Sequence, residues 1–253
     1  MLTYTYSTCG AVAWIAIDRP EKLNAMPRSF WPELQEIVAR AEADQAVRVI
    51  IFHGSGRCFS VGGDIADFGA LTDAADRREY VSEALFALRA VEAMSKPTIA
   101  AVHGYAFGGG CELTMVCDIV VADQTASFAT PEASVGLVPG LGVVRGGAHL
   151  NLHWIKYMVL TGESLDAQEA LTAGLVNKVV PAGDHLTEAE RIAKLIARRA
   201  PLAMAVGKAT LGGASDQDYA HGISAVSYLQ TTTDFGEGIK AFNERRDPEF
   251  EGR

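Results

Sequence analysis

The stretch AVHGYAFGGGCELTMVCDIVVA, residues 101–122, sets three consecutive glycines beside one carboxylate, Glu112, in a largely apolar run. The segment leading into it, PTIAAVHG, reads as a buried strand, and DIVVAD (118–123) reads as another. Between them, CELTMV is a short helix candidate. The first N–H groups of a helix have no intrahelical acceptor, and the helix dipole is positive there. Glycine at that position lets a ligand approach those donors closely. The order strand, glycine turn, helix, strand decides the fold class if the rest of the chain follows it.

It does so through about residue 180. AVAWIAID (11–18) and VRVIIFHG (47–54) are further apolar, β-rich runs. FWPELQEIVARAEAD has helical spacing, with Ser29 as its candidate cap and Pro32 tolerated in the first turn. REYVSEALFALRAVEAMS (78–95) is a second amphipathic pattern. This alternation predicts a layered α/β structure with helical crossovers. After KVVPAGD the pattern turns helical, through LTEAERIAKLIARRA, PLAMAVGKATLGG, DQDYAHGISAVSYLQTT and FGEGIKAFNERR. A core over 1–195, followed by a helical region over 196–253, is the expected division.

Composition narrows the function. The net charge is −9, which argues against nucleic acid as a main partner, because duplex binding needs a concentrated basic face. A small anionic ligand needs only a few local cations. The 4 cysteines form no C-x-x-C pair and are expected to be reduced, mostly packed thiols. No stretch reaches ~18 uninterrupted apolar residues, so no membrane span is expected. The start, MLTYTYSTCG, lacks the basic region of a signal peptide and the arginines of a transit peptide, so the expected location is the cytoplasm.

Several motifs point to chemistry only weakly. GLGVVRG (140–146) approaches a dinucleotide fingerprint, but Pro139 spoils the strand-to-turn entry. His149 and His153 have the spacing of metal ligands on one helix face, but Leu150 follows His149 and no third ligand is evident. Neither a G-x-S-x-G elbow nor a phosphate loop of the G-x-x-x-x-G-K-[ST] type occurs. Asp64, following a glycine turn, reads more readily as a helix cap than as a catalytic acid.

A stronger signal comes from pairing the features. FSVGGDI places Gly62 and Gly63 after one strand, just as Gly108 to Gly110 follow another. Two such turns can each offer one N–H to a common point, as in an oxyanion hole. Glycine spacing alone is equally met by two ordinary turns. The acids tip the balance. Glu112 lies in the first helical turn, and Glu132 follows Pro131 among small and apolar residues in SFATPEASVGLVPG. Two carboxylates flanking a substrate share acid and base roles when their environments separate their pKa values.

The chain resembles the enoyl-CoA hydratase/isomerase (crotonase) superfamily over nearly its full length. The resemblance is carried by IAIDRPEKLNAM, GRCFSVGGDIADF, KPTIAAVHGYAFGGGCELTMVCDIVVA, SFATPEASVGLVPGLG, VLTGESLDAQEALTAGLVNKVV and DFGEGIKAFNERRDPEFEGR. It implies a crotonase-like core of repeated ββα units and a C-terminal helical region used in trimer assembly, with trimers pairing into hexamers. It implies an oxyanion hole from the N–H groups of Gly63 and Gly109, and a hydratase pair, Glu112 and Glu132. Gly140 matches a residue whose backbone positions the catalytic water. Gly62, Gly63, Asp64, Ile65 and Ala66 match the thioester and pantetheine path. Lys22, Leu23 and Ala25 fall where the family meets the nucleotide part of coenzyme A, and Arg245 matches a basic position that reaches a phosphate across a subunit contact.

The reaction implied is syn addition of water to a 2-enoyl-CoA, giving a 3-hydroxyacyl-CoA. No metal or cofactor is implied, since coenzyme A is part of the substrate. Two departures stand out. Many relatives have PGAGGTQRL where this chain has PGLGVVRGGAHL, and many have Gln where this chain has Thr130. Double-bond isomerisation through Glu132 is the nearest alternative, and a non-catalytic acyl-CoA-binding role is a more distant one.

Overall fold

In the computed structural model, residues 3–199, 201, 204, 205, 207, 208, 216–246 and 248 are described. The strands in chain order are β1 (Tyr4–Cys9), β2 (Val12–Ile17), β3 (Val49–Gly54), β4 (Thr98–Val102), β5 (Tyr105–Phe107), β6 (Ile119–Asp123), β7 (Ser127–Ala129), β8 (Leu165–Asp166) and β9 (Lys178–Val180). The helices are α1 (Phe30–Ala43), α2 (Ile65–Ala70), α3 (Ala74–Glu92), α4 (Gly109–Val116), α5 (Gly140–His149), α6 (Leu152–Thr161), α7 (Ala167–Ala173), α8 (His185–Ala197), α9 (Asp216–Leu229) and α10 (Thr233–Glu244).

The apolar runs build a six-stranded sheet in the order β1-β2-β3-β4-β6-β9. All its neighbours are parallel except the edge pair β1 and β2. The side-chain period of two divides its residues between two cores. Ile50, Phe52, Ala100 and Val102 enter the main core, while Val49, Ile51, Ile99 and Ala101 turn to the other face. That second face is closed by Ala189 and Ala193 of α8. Burial on both faces is why β3 and β4 read as unbroken apolar runs.

A smaller sheet, β5-β7-β8, stands beside the first. Each ββα unit sends one strand to each sheet and then a helix to the site: β4, β5 and α4, then β6, β7 and α5. This is the expected crotonase-like architecture. The short strands of the smaller sheet and the exposed edge strand β1 carry too few apolar residues to be recognised from periodicity.

Helix boundaries differ in detail. Ser29 stands at the cap position of α1, but its side chain makes no capping bond; Phe30 N–H donates instead to the Pro27 carbonyl at 2.8 Å. Helix α3 begins earlier than its apolar pattern, because the Asp73 carboxylate accepts from the N–H groups of Ala75 and Asp76. Helix α9 packs Ile223 and Val226 into the main core. Most of the expected helical stretch 201–213, and the last residues of the chain, lie outside the described residues. Among the described residues, no helix is long and apolar enough to cross a membrane.

Candidate active site

The two glycine turns meet back to back. Gly62 has φ +87°, and a Cβ there would lie 2.7 Å from the Phe107 carbonyl and 2.9 Å from Gly109 N. Gly108 has φ +49°, and a Cβ there would lie 3.1 Å from Glu132 Oε1. Both positions have a positive φ, which favours glycine; at Gly62 the neighbouring backbone is too close for a side chain, and at Gly108 a Cβ would press on Glu132. Gly109 itself starts α4, and a Cβ on it would sit 3.8 Å from Gly63 N. The N–H groups of Gly63 and Gly109 find no acceptor among the described residues. Two uncommitted donors therefore lie side by side on one cavity of about 250 Å³. The Trp31 ring lies against Gly109 and the Tyr80 hydroxyl against Gly63, each 3.1 Å from where a Cβ would be.

Glu112 sits in the first turn of α4 and is 7% exposed. Its Oε1 accepts from Leu141 N–H at 2.6 Å and from Gly142 N–H at 3.0 Å. These are first-turn donors of α5, so a helix N-terminus holds the carboxylate. Burial raises its pKa, and the two N–H donors pull back towards the ionised form.

Glu132 lies on the 3-10 turn Pro131–Val135. Its Oε2 is buried with no partner among the described residues. Burial first, and the nearby Glu112 charge second, push its pKa up to about 8. Both acids are therefore raised, but unequally supported: two α5 amides favour the ionised form of Glu112, whereas Glu132 Oε2 has no partner among the described residues and burial beside Glu112 favours its protonated form.

The cavity gathers Gly63, Ile65, Gly109, Glu112, Glu132 and Gly140 from the sequence-derived set. The remaining positions lie off its lining. Lys22 ends the 3-10 turn Pro20–Lys22, and Leu23 and Asn24 follow in left-handed backbone. This loop is stitched to the glycine turn: Met26 N–H donates to Gly62 O, and Val61 N–H to Leu23 O. Ala25 is buried at this seam, where its carbonyl accepts from Arg19. Asp64 caps α2 by accepting from Ala66 N–H, and it pairs with Arg19 at 3.2 Å. Arg245 is exposed at the end of α10, in left-handed backbone one turn beyond Phe242, which lines the cavity.

The weak motifs resolve differently. GLGVVRG is the first part of α5, where the Gly142 N–H serves Glu112 rather than a dinucleotide. His149 ends α5 and His153 lies in α6, so they share no helix face; Asn151 caps the second helix between them. His149 instead faces Glu92 at 3.6 Å. Among the described residues no cluster is suited to a metal ion. Sequence reasoning missed Leu141 and Gly142 as carboxylate donors. Pro139 immediately before a glycine-rich helix start was the available signal, since proline favours the boundary of a helix. Trp31, Tyr80 and Gln230 were also missed, because each sits in an ordinary helical stretch.

The family model described as enoyl-CoA hydratase/isomerase matches residues 7–253. A crotonyl-CoA hydratase of Syntrophomonas wolfei is 37% identical over 245 residues, covering 94% of each chain. A 2,3-dehydroadipyl-CoA hydratase of Escherichia coli is 36% identical over 247 residues, covering 96% of each. The crystal structure of a carnitinyl-CoA hydratase from Mycobacterium avium superposes with a TM-score of 0.88 at 33% identity, covering 100% of both chains.

Proposed function

Since the chain belongs to the enoyl-CoA hydratase/isomerase family, we propose that its reaction is reversible syn hydration of a 2-enoyl-CoA to a 3-hydroxyacyl-CoA. The observation that carries this reading is a pair of buried acids, one held by two α5 amides and the other with an unpartnered oxygen among the described residues, beside two free N–H donors. The thioester oxygen receives the Gly63 and Gly109 N–H groups. Ionised Glu112 takes a proton from a water as its oxygen attacks the β-carbon. Protonated Glu132 delivers a proton to the α-carbon, and the enolate charge that builds on the thioester oxygen is held by the two donors. One such donor is worth ~10²–10³ in rate. Each acid–base group contributes ~10²–10⁴.

The seam between the loop 22–26 and the Gly62–Gly63 turn supports a continuous path for coenzyme A from Lys22 to the hole. Arg245 is assigned to a phosphate across a subunit contact, which makes the trimer or hexamer part of the same proposal. Crotonyl-CoA hydration, followed by loss of the enoyl-thioester absorbance, tests the reaction. Glu112→Gln and Glu132→Gln are each expected to lose roughly 10²-fold or more in kcat. Full rate in either variant removes the role given to that residue.

A further inference from the structure

Gln230 is a buried polar side chain that this chemistry leaves unused. It is 0% exposed, and both its Nε2 and Oε1 lack a hydrogen-bond partner among the described residues. It lines the same cavity as the two glutamates. Its backbone extends the last turn of α9, with Gln230 N–H donating to Val226 O at 3.1 Å. Val226 in turn packs its side chain against Gly140, 3.6 Å from where a Cβ on that glycine would be.

A primary amide carries two N–H donors and a carbonyl acceptor. Sealing it away from water with none of them satisfied is costly, and native interiors pair such groups. Beside the two glutamates, Trp31, Tyr80 and Ser134, the cavity lining is largely apolar, with Val81, Ala84, Leu85, Leu137 and Val138 offering no side-chain partner. A plain hydrocarbon chain would fill that space and leave the amide unsatisfied. The described lining also contains no Lys, Arg or His, and it already holds two carboxyl groups. A negatively charged chain would enter without a counter-ion and against Glu112.

We infer that the acyl chain of the substrate carries a neutral hydrogen-bonding oxygen, a hydroxyl or a keto group, which Gln230 engages. The inference rests on the hydratase reading for the thioester end, and adds to it a selection at the acyl chain. Oxygenated 2-enoyl thioesters are therefore the preferred class over unsubstituted ones of equal length.

The test compares trans-2-hexenoyl-CoA with its 5-hydroxy and 6-hydroxy derivatives. In the wild-type protein, at least one hydroxylated substrate is expected to exceed the parent in kcat/KM by at least about tenfold. Gln230→Met, which keeps the volume and removes the amide, is expected to abolish that ratio. Equal kcat/KM for parent and hydroxylated substrates in wild type overturns the inference. So does a loss in Gln230→Met that falls equally on both. The wild-type comparison needs no variant, so it decides even if Gln230→Met does not fold. Binding of saturated hexanoyl-CoA against 6-hydroxyhexanoyl-CoA, by calorimetry, separates the two readings. A preserved binding preference without turnover overturns hydration and keeps the role of Gln230; turnover without any preference does the reverse.

Discussion

Glu112 and Glu132 are the same side chain held in two environments, and that difference makes the pair useful. The α5 amides partly offset the burial of Glu112, whereas Glu132, with its Oε2 unpartnered among the described residues, is raised further by burial and by the Glu112 charge. The pH dependence follows. Activity under the proposed mechanism needs Glu132 protonated, so kcat is expected to fall as pH rises through about 8. Stability should move the same way. The folded pKa of Glu132 lies above its ordinary value of 4.5, so between 4.5 and about 8 the native chain holds a proton that the unfolded chain has released. Stability then declines as pH rises through that window. In Glu132→Gln the decline should be weaker, and thermal unfolding of the two proteins from pH 5 to 9 measures it. Gly108→Ala introduces a Cβ 3.1 Å from Glu132 Oε1 at φ +49°. It should lower stability by roughly 1–2 kcal/mol and also reduce kcat. Wild-type Tm and kcat in the Gly108→Ala variant would contradict the close approach.

Helix α5 is the element on which the site turns. Its first-turn amides hold Glu112, while farther along Arg145 is buried against Glu92 of α3 at 2.7 Å. The departure from the commoner PGAGGTQRL pattern therefore has a structural content: it places a cation where α3 supplies an acid. Removing Glu92 takes away the acid that the buried Arg145 and His149 both face. Glu92→Leu is expected to cost about 3–5 kcal/mol, read as a lower midpoint in urea. Combining it with Arg145→Met should recover part of that loss, since an apolar pair can replace a buried ion pair. If the double substitution is as destabilised as the sum of the two singles, the pair is not coupled. Thr130 belongs at this scale too. Its hydroxyl is buried without a partner among the described residues, and its methyl lies 3.9 Å from where a Cβ on Gly142 would be. It packs against the α5 start, and the amides of that start do the orienting of Glu112.

Across the whole molecule, the helical C-terminal part contributes both to the core and to the surface. Ile223 and Val226 are buried, while Tyr228 is 70% and Phe242 56% exposed. Leu160 of α6 is 76% exposed. Large apolar side chains left in water favour burial against another copy. The proposed trimer or hexamer is expected to show a mass of three or six times 26.9 kDa in light scattering. A monomeric mass that persists at high concentration would refute it.

Reading the chain alone was enough for the alternation of buried strands with helices, because strands covered on both faces must be apolar throughout and helices must repeat near every third or fourth residue. It was also enough to single out the glycine turns and the two acids, because few residue types serve those purposes. Local spacing carries no information on which distant groups share a solvent-free volume. That is why the union of Gly62 with Gly109, the grip of Leu141 and Gly142 on Glu112, and the stranded amide of Gln230 emerged only in three dimensions. Each depends on packing between elements far apart in the chain, and it is packing that sets both the distance between two groups and the water left between them.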